Sequence, residues 1–150
     1  MKSQRSKTTN ETTSRRGLAT VSFWAADLDA ATDWYTQLLG IEPYFIRPPA
    51  PAPTAYVEFH AGDYQHEIGI IDSSYAPTSA ATTPGGAVVY WHLDDLKGTY
   101  EKLLAMGAVE YQPPTDREEG FTTAAVVDPF GNVLGIMHNP HYLDVLGEPR

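Results

Sequence analysis

Hydrophobic and polar positions near the start of the chain alternate in a way that predicts a strand followed by a helix. Val21 and Phe23 alternate with more polar neighbours, a pattern typical of a β-strand. Asp27 follows as a predicted helix N-cap, and apolar residues then recur at helical spacing over 28–39 until Gly40. This first segment is therefore predicted to form a β-α unit.

Three more short apolar segments complete the first half as strands. They cover 43–46, 56–59 and 67–71, and the last two are separated by turn residues at 62–63. The proline run at 48–53 cannot sit in a central strand, so it is predicted to be an extended loop. The first half thus has the order β-α-β-β-β.

The same order returns after a Ser, Thr, Ala and Pro-rich linker at 72–86. Asp27-Leu28 is matched by Asp95-Leu96, and the strand patterns that precede them match at the same offset of 68 residues. A second helix is predicted from Leu96 to Met106, and the remaining strands are predicted at 111–114, 121–127 and 133–137. Because a repeat of this length occurs only twice, the sequence predicts an α+β fold: two βαβββ modules, about 18–72 and 87–140, form curved mixed sheets around a central cavity.

Composition and charge narrow the class of protein. The chain has 150 residues, 42% of them hydrophobic, so one domain over 18–150 is expected, and without cysteine it has no disulfides and no thiolate metal site. Of the net charge of −9, residues 1–17 carry +4 and the rest −13. Such an acidic body argues against nucleic-acid binding, and residues 1–17 are predicted to be a disordered basic tail. No segment has the apolar length of a membrane span or a signal peptide, so a cytoplasmic protein is expected.

Three segments resemble, in residue type and spacing, the vicinal oxygen chelate superfamily, also called the glyoxalase, bleomycin-resistance and extradiol dioxygenase family. They are the Asp27 to Gly40 segment, the Asp95 to Gly107 segment, and the turn Asp128-Pro129-Phe130-Gly131-Asn132. The resemblance implies a homodimer and, in active members, one divalent metal held by His, Glu or Gln side chains from the first and fourth strands of each half.

The positions at which that family places its metal ligands are occupied here by residues that cannot form such a site. They are Thr20 and Gly69 in the first half, and Val88 and Gly135 in the second. A Thr hydroxyl alone is a poor ligand, and Val and Gly side chains offer no lone pair. We therefore predict no family-type metal and no cofactor.

The same alignment predicts a small-molecule pocket. Because side chains on one strand face share a period of two, the residues around these positions are expected to face the cavity. The predicted lining is Thr20, Ser22, Trp24, Glu67, Gly69, Val88, Tyr90, His92, Gly135 and Met137. Aromatic surface with a few polar groups suits a small organic ligand, and the two glycines are expected to leave room for it.

Several candidates also have plainer interpretations. His92, beside Asp94 at a strand end, fits an exposed histidine, and Glu67 fits an outward-facing strand residue. His60 and His66 flank a hairpin turn, and His138 and His141 are separated by a proline that favours extended backbone, so both pairs are interpreted as surface histidines.

Three functions follow from these observations. The first is a metal-free protein that binds a small organic ligand and sequesters an antibiotic or toxic metabolite, with a cationic ligand favoured by the acidic body. The second is a metal-independent lyase or isomerase that uses His92 or Glu67 as general base and Tyr90 as proton donor. The third is a metal-dependent enzyme with relocated ligands.

Overall fold

The first module is built from one helix and four strands in the computed structural model, which describes residues 16–150. Its elements are β1 (Thr20–Ala25), α1 (Leu28–Leu39), β2 (Phe45–Arg47), β3 (Tyr56–Ala61) and β4 (His66–Asp72). The strands form a sheet in the order β1-β4-β3-β2, in which β1 is parallel to β4 and the other pairs are antiparallel.

The second module repeats this arrangement. Its elements are β5 (Tyr90–His92), α2 (Leu96–Ala105), β6 (Val109–Asp116), β7 (Thr122–Val127) and β8 (Val133–His138). The sheet order is β5-β8-β7-β6, again with the first strand parallel to its neighbour. The predicted α+β fold of two βαβββ modules with mixed sheets is confirmed.

The helix ends follow the local chemistry of the sequence. The side chain of Asp27 accepts a hydrogen bond from the backbone N–H of Ala30, and Asp95 does the same for Gly98. Gly40 ends α1 in the left-handed conformation, with φ at 70°, which costs a residue without a Cβ little. The predicted start of α1 is therefore correct for the stated reason.

A third helix, α3 (Pro140–Leu146), was not predicted. Pro140 was expected to set extended geometry between His138 and His141, and this expectation is wrong. Asn139 accepts a hydrogen bond from the backbone N–H of Tyr142, and proline fits the first turn of a helix because the N–H it lacks has no partner there. The predicted basic tail at 1–17 lies outside the described residues except for its last two positions.

One continuous hydrophobic core joins the helices to one face of each sheet. Its members alternate along the strands with residues of the opposite face. The core includes Phe23, Val57, Phe59, Ile68 and Ile70 from the first sheet, Ala124, Val126, Leu134 and Ile136 from the second, and Leu28, Ala31, Tyr35, Leu96, Tyr100 and Leu103 from the helices. The other face of each sheet is thereby left for polar and functional residues.

Two hydrogen bonds link the two modules, and the first of them comes from the turn between β7 and β8. The side-chain amide of Asn132 donates to the backbone carbonyl of Trp24 at the end of β1, at 2.9 Å. The indole N–H of Trp34 on α1 donates to the carbonyl of Met106 at the end of α2, at 2.7 Å.

Within residues 16–150, none of the helices combines the length and apolar character needed to cross a membrane.

Candidate functional site

A cavity of about 280 Å³ lies where the edge strands β1 and β5 approach each other, and residues of both modules line it. Five of the ten predicted pocket residues are among its lining residues: Thr20, Glu67, Tyr90, His92 and Met137. Residues that were not predicted to line a pocket complete the wall, among them Asp63, His66, Trp91, Asn139 and Tyr142. Two larger surface grooves lie elsewhere. The one of about 510 Å³ beside α2 is lined by the second module, and the one of about 830 Å³ is lined mainly by the C-terminal segment and the second module.

The other five predicted pocket residues do not line this cavity. Ser22 is exposed and Trp24 is partly buried near the far end of β1, where its carbonyl binds Asn132. Val88 precedes β5, which begins only at Tyr90. The two remaining residues, Gly69 and Gly135, are buried beneath neighbouring side chains.

The space beside the two glycines is filled, contrary to the expectation that it would be open to a ligand. A Cβ atom at Gly69 would lie 2.7 Å from the hydroxyl of Tyr56, and one at Gly135 would lie 2.8 Å from both Val88 and Tyr90. The family's metal site therefore does not fit here: the donor atoms are missing, and aromatic and aliphatic side chains occupy the positions where carboxylates would reach the ion.

His92, the last residue of β5, is held by contacts with the first turn of α3. Its Nδ1 accepts a 3.0 Å hydrogen bond from the backbone N–H of Asn139, and its Nε2 lies 3.2 Å from Asp94 Oδ1. The ring stacks on Tyr142, with centroids 5.1 Å apart, and its side chain is only 8% exposed. The plainer expectation of an exposed histidine is therefore wrong, and both ring nitrogens already have partners.

The charges on the cavity wall are negative. Asp63 and Glu67 are its acidic lining residues, and the described lining contains neither Lys nor Arg. Asp63 accepts a 2.9 Å hydrogen bond from the hydroxyl of Tyr142, and burial, followed by this bond, raises the pKa of Tyr142 to about 12. At neutral pH Tyr142 is thus a neutral donor in the wall of an acidic cavity.

Next to this cavity, the polar face of the first sheet carries a cluster of Glu58, His60 and Glu67. The antiparallel register pairs His60 on β3 with Glu67 on β4, and Glu58 lies two residues before His60 on the same face. The Nε2 atom of His60 lies 3.9 Å from Glu58 Oε2 and 3.9 Å from Glu67 Oε1. His60 was interpreted as a surface histidine, but the structure places it between two carboxylates. His66 does remain exposed.

Hydroxyl groups hold both carboxylates of the cluster in place. Glu58, which is buried, accepts hydrogen bonds from the hydroxyls of Tyr44 and Tyr56. The bond to Glu58 is the main reason that the pKa of Tyr44 rises to about 12, whereas burial is the larger cause of the raised pKa of Tyr56. Thr20 donates a 2.6 Å hydrogen bond to Glu67 Oε2, so Glu67 contacts both the cavity and the cluster.

Glu58 and His60, the two cluster residues that were not predicted to be functional, share a pattern in the sequence with Tyr56. Tyr56 and Glu58 alternate within the strand predicted at 56–59, and the same alternation continued by one residue to His60 places all three on one face. What the pattern lacks is the hairpin register, which decides whether His60 lies opposite Glu67 or His66. That register is visible only in the folded sheet.

Comparison with known proteins is consistent with this architecture. The model of the Glyoxalase/Bleomycin resistance protein/Dioxygenase superfamily matches residues 17–136. No curated protein sequence matches the chain.

Three solved structures illustrate the similarity in fold. A glyoxalase-related enzyme from Fulvimarina pelagi has 17% identity and a TM-score of 0.65, covering 84% of this chain and 90% of its own. A lactoylglutathione lyase from Agrobacterium tumefaciens has 18% identity and a TM-score of 0.62, covering 85% and 97%. TioX from Micromonospora sp. ML1 has 18% identity and a TM-score of 0.61, covering 82% and 98%. At these identities the likeness concerns the fold alone.

Proposed function

Because the chain belongs to the Glyoxalase/Bleomycin resistance protein/Dioxygenase superfamily, we propose that it binds a small organic ligand in the cavity between its two modules. The ligand carries a basic, positively charged group. The observation that supports this proposal is the composition of the cavity wall: two carboxylates, Asp63 and Glu67, and no Lys or Arg in the described lining.

The rest of the wall suits an organic cation. Tyr90, Trp91 and Tyr142 supply aromatic surface, which attracts a cation through the negative face of the ring. Met137 adds a polarisable apolar side chain that adapts to ligands of different shape. A volume of about 280 Å³ is near the lower limit of small-molecule sites and favours a compact ligand.

Binding without turnover accounts best for the state of one candidate catalytic group, His92. His92 has partners on both ring nitrogens, so it has no free lone pair with which to remove a proton from a ligand. Sequestration of a basic toxic compound, the use suggested by the resistance proteins in the superfamily, is the role we propose. The homodimer implied by the sequence resemblance remains a prediction.

A thermal-shift screen of matched compounds tests this function. Each aromatic amine is compared with a neutral compound of the same shape, on the natural protein and on the Glu67→Gln and Glu42→Gln variants. Glu42 is exposed and does not line the cavity. A ligand at 100 times its Kd stabilises a protein by about 2.7 kcal/mol. We expect amines to stabilise the natural protein and Glu42→Gln more than Glu67→Gln. Larger shifts from the neutral compounds would contradict the proposal.

A further inference from the structure

The cluster of Glu58, His60 and Glu67 has the geometry of an incomplete coordination sphere. One atom from each residue, a carboxylate oxygen from each Glu and an imidazole nitrogen from His60, lies within 4.8 Å of the other two. Metal bonds to these atom types are about 2.0–2.2 Å long, so two ligands of one ion are at most about 4.4 Å apart. Small side-chain shifts would bring all three atoms onto a shared ion.

The three side chains are already oriented by other contacts. The ring of His60 stacks on Tyr44 with centroids 3.7 Å apart. Thr20 binds Oε2 of Glu67, which leaves Oε1, the oxygen nearest His60, without a hydrogen-bonding side chain among the described residues. Tyr44 and Tyr56 bind one oxygen each of Glu58, and each oxygen retains a second lone pair. Hydrogen bonds of this kind to ligating carboxylates typically strengthen metal sites.

The two carboxylates of the cluster have no nearby Lys or Arg among the described residues, which favours binding of a cation. Within residues 16–150, no Lys or Arg nitrogen lies within 4.0 Å of either carboxylate, and Glu58 is 8% exposed. A buried carboxylate without a counter-charge is costly, because the protein interior solvates it less well than water does. His60 alone cannot balance two carboxylates.

We propose that Glu58, His60 and Glu67 bind one divalent first-row transition-metal ion, such as Zn²⁺ or Co²⁺. The imidazole favours this class over Mg²⁺ and Ca²⁺, which prefer oxygen ligands. The site lies on the sheet face that also carries the family ligand positions Thr20 and Gly69, but its ligands are different residues. The other two family positions, Val88 and Gly135, are in the second module. His60 and Glu67 are 35% and 39% exposed, so further coordination positions face solvent.

Cobalt binding in the absence of any organic ligand tests this site. Tag-free protein is dialysed against a chelator and titrated with Co²⁺, whose visible absorption reports coordination by protein ligands, and Zn²⁺ binding is measured by calorimetry. We expect one equivalent of either ion to bind. His60→Gln and Glu58→Gln should abolish binding, whereas His141→Gln, which alters an exposed histidine on α3, should leave it unchanged.

The Tyr44→Phe variant tests whether the hydrogen bond that holds Glu58 contributes to metal binding. Loss of its bond to Glu58 should weaken Zn²⁺ binding about 10–100-fold, as for other groups that support ligands. If Glu58→Gln does not fold, His60→Gln still tests the proposal, because His60 is partly exposed and its replacement should not disturb the fold. The proposal is overturned if no stoichiometric metal binds, if His60→Gln binds metal as the natural protein does, or if only His141→Gln loses binding. If amines bind as proposed above but no metal binds, this site is overturned and the proposed function remains intact.

Discussion

The hydroxyl of Tyr35 on α1 donates a 2.5 Å hydrogen bond to Oδ2 of Asp128, at the turn between β7 and β8 of the other module. Both residues are buried. The other oxygen of Asp128 accepts hydrogen bonds from the backbone N–H groups of Phe130 and Asn132. Since Asn132 in turn binds the end of β1, this one carboxylate fixes the turn and the contact between the modules.

Replacement of Tyr35 by Phe should therefore destabilise the protein by about 1.5–3 kcal/mol, the usual range for a hydrogen bond to a charged group. For a chain of this size, each kcal/mol of lost stability lowers Tm by about 2–4 °C. Urea denaturation measures the effect. Tyr75→Phe, which alters a tyrosine that is 67% exposed, serves as the control and should change stability by less than about 0.5 kcal/mol. Equal stability of the two variants would show that the Asp128 contact contributes little.

Replacement of Gly135 by Ala should also destabilise the fold. The added Cβ would lie 2.8 Å from Val88 and Tyr90 and 2.9 Å from the backbone carbonyl of Val89, and the carbonyl cannot move without disturbing the strand. Overpacking of this kind costs about 1–3 kcal/mol. Gly85→Ala, at a position with no atom within 4 Å of the new Cβ, should be nearly neutral. Thermal unfolding of both variants decides the matter, and a neutral Gly135→Ala would contradict the tight packing described.

The Tyr142 to Asp63 contact predicts a measurable pH dependence. Burial first, and the bond to Asp63 second, raise the pKa of Tyr142 to about 12 in the folded protein, compared with about 10 for an unperturbed tyrosine. Because the neutral phenol is favoured by folding, its contribution to stability is complete below about pH 10 and is lost as the pH rises through about 12.

Ultraviolet absorbance of the phenolate follows this titration, with Tyr142→Phe identifying the signal and circular dichroism monitoring the fold. In Asp63→Asn the pKa of Tyr142 should fall only part of the way towards its ordinary value, because burial, the larger cause, persists. An unchanged pKa in that variant would mean that Asp63 has no influence on the tyrosine.

The fold could be predicted because its signals are local and occur twice. Asp27 and Asp95 start helices at equivalent positions, and alternation along the strands identifies which face is buried. Helix α3 was missed although Asn139 and Pro140 form a recognised N-terminal pattern, because the proline was considered only as a breaker of structure.

The candidate site was predictable only in part, because it depends on contacts between distant strands. Strand alternation brought Thr20, Tyr90 and Met137 to the cavity, but no local pattern shows that Tyr56 fills the space beside Gly69. Likewise, the pairing of His60 with Glu67 is a property of the hairpin register. Side-chain size and register across the sheet decide these features, and neither is encoded in the periodicity of one strand.

The methionine methyl signals test the central claim, that the cavity between the modules is the ligand site, most directly. The chain has three methionines; Met137 lines the cavity, whereas Met106 ends α2 and does not line it. In isotope-labelled protein, an amine found in the thermal-shift screen should shift the NMR signal of the Met137 methyl group, leave that of Met106 in place, and bind Glu67→Gln more weakly. Binding that shifts Met106 but not Met137, or that is unaffected by Glu67→Gln, would contradict the account.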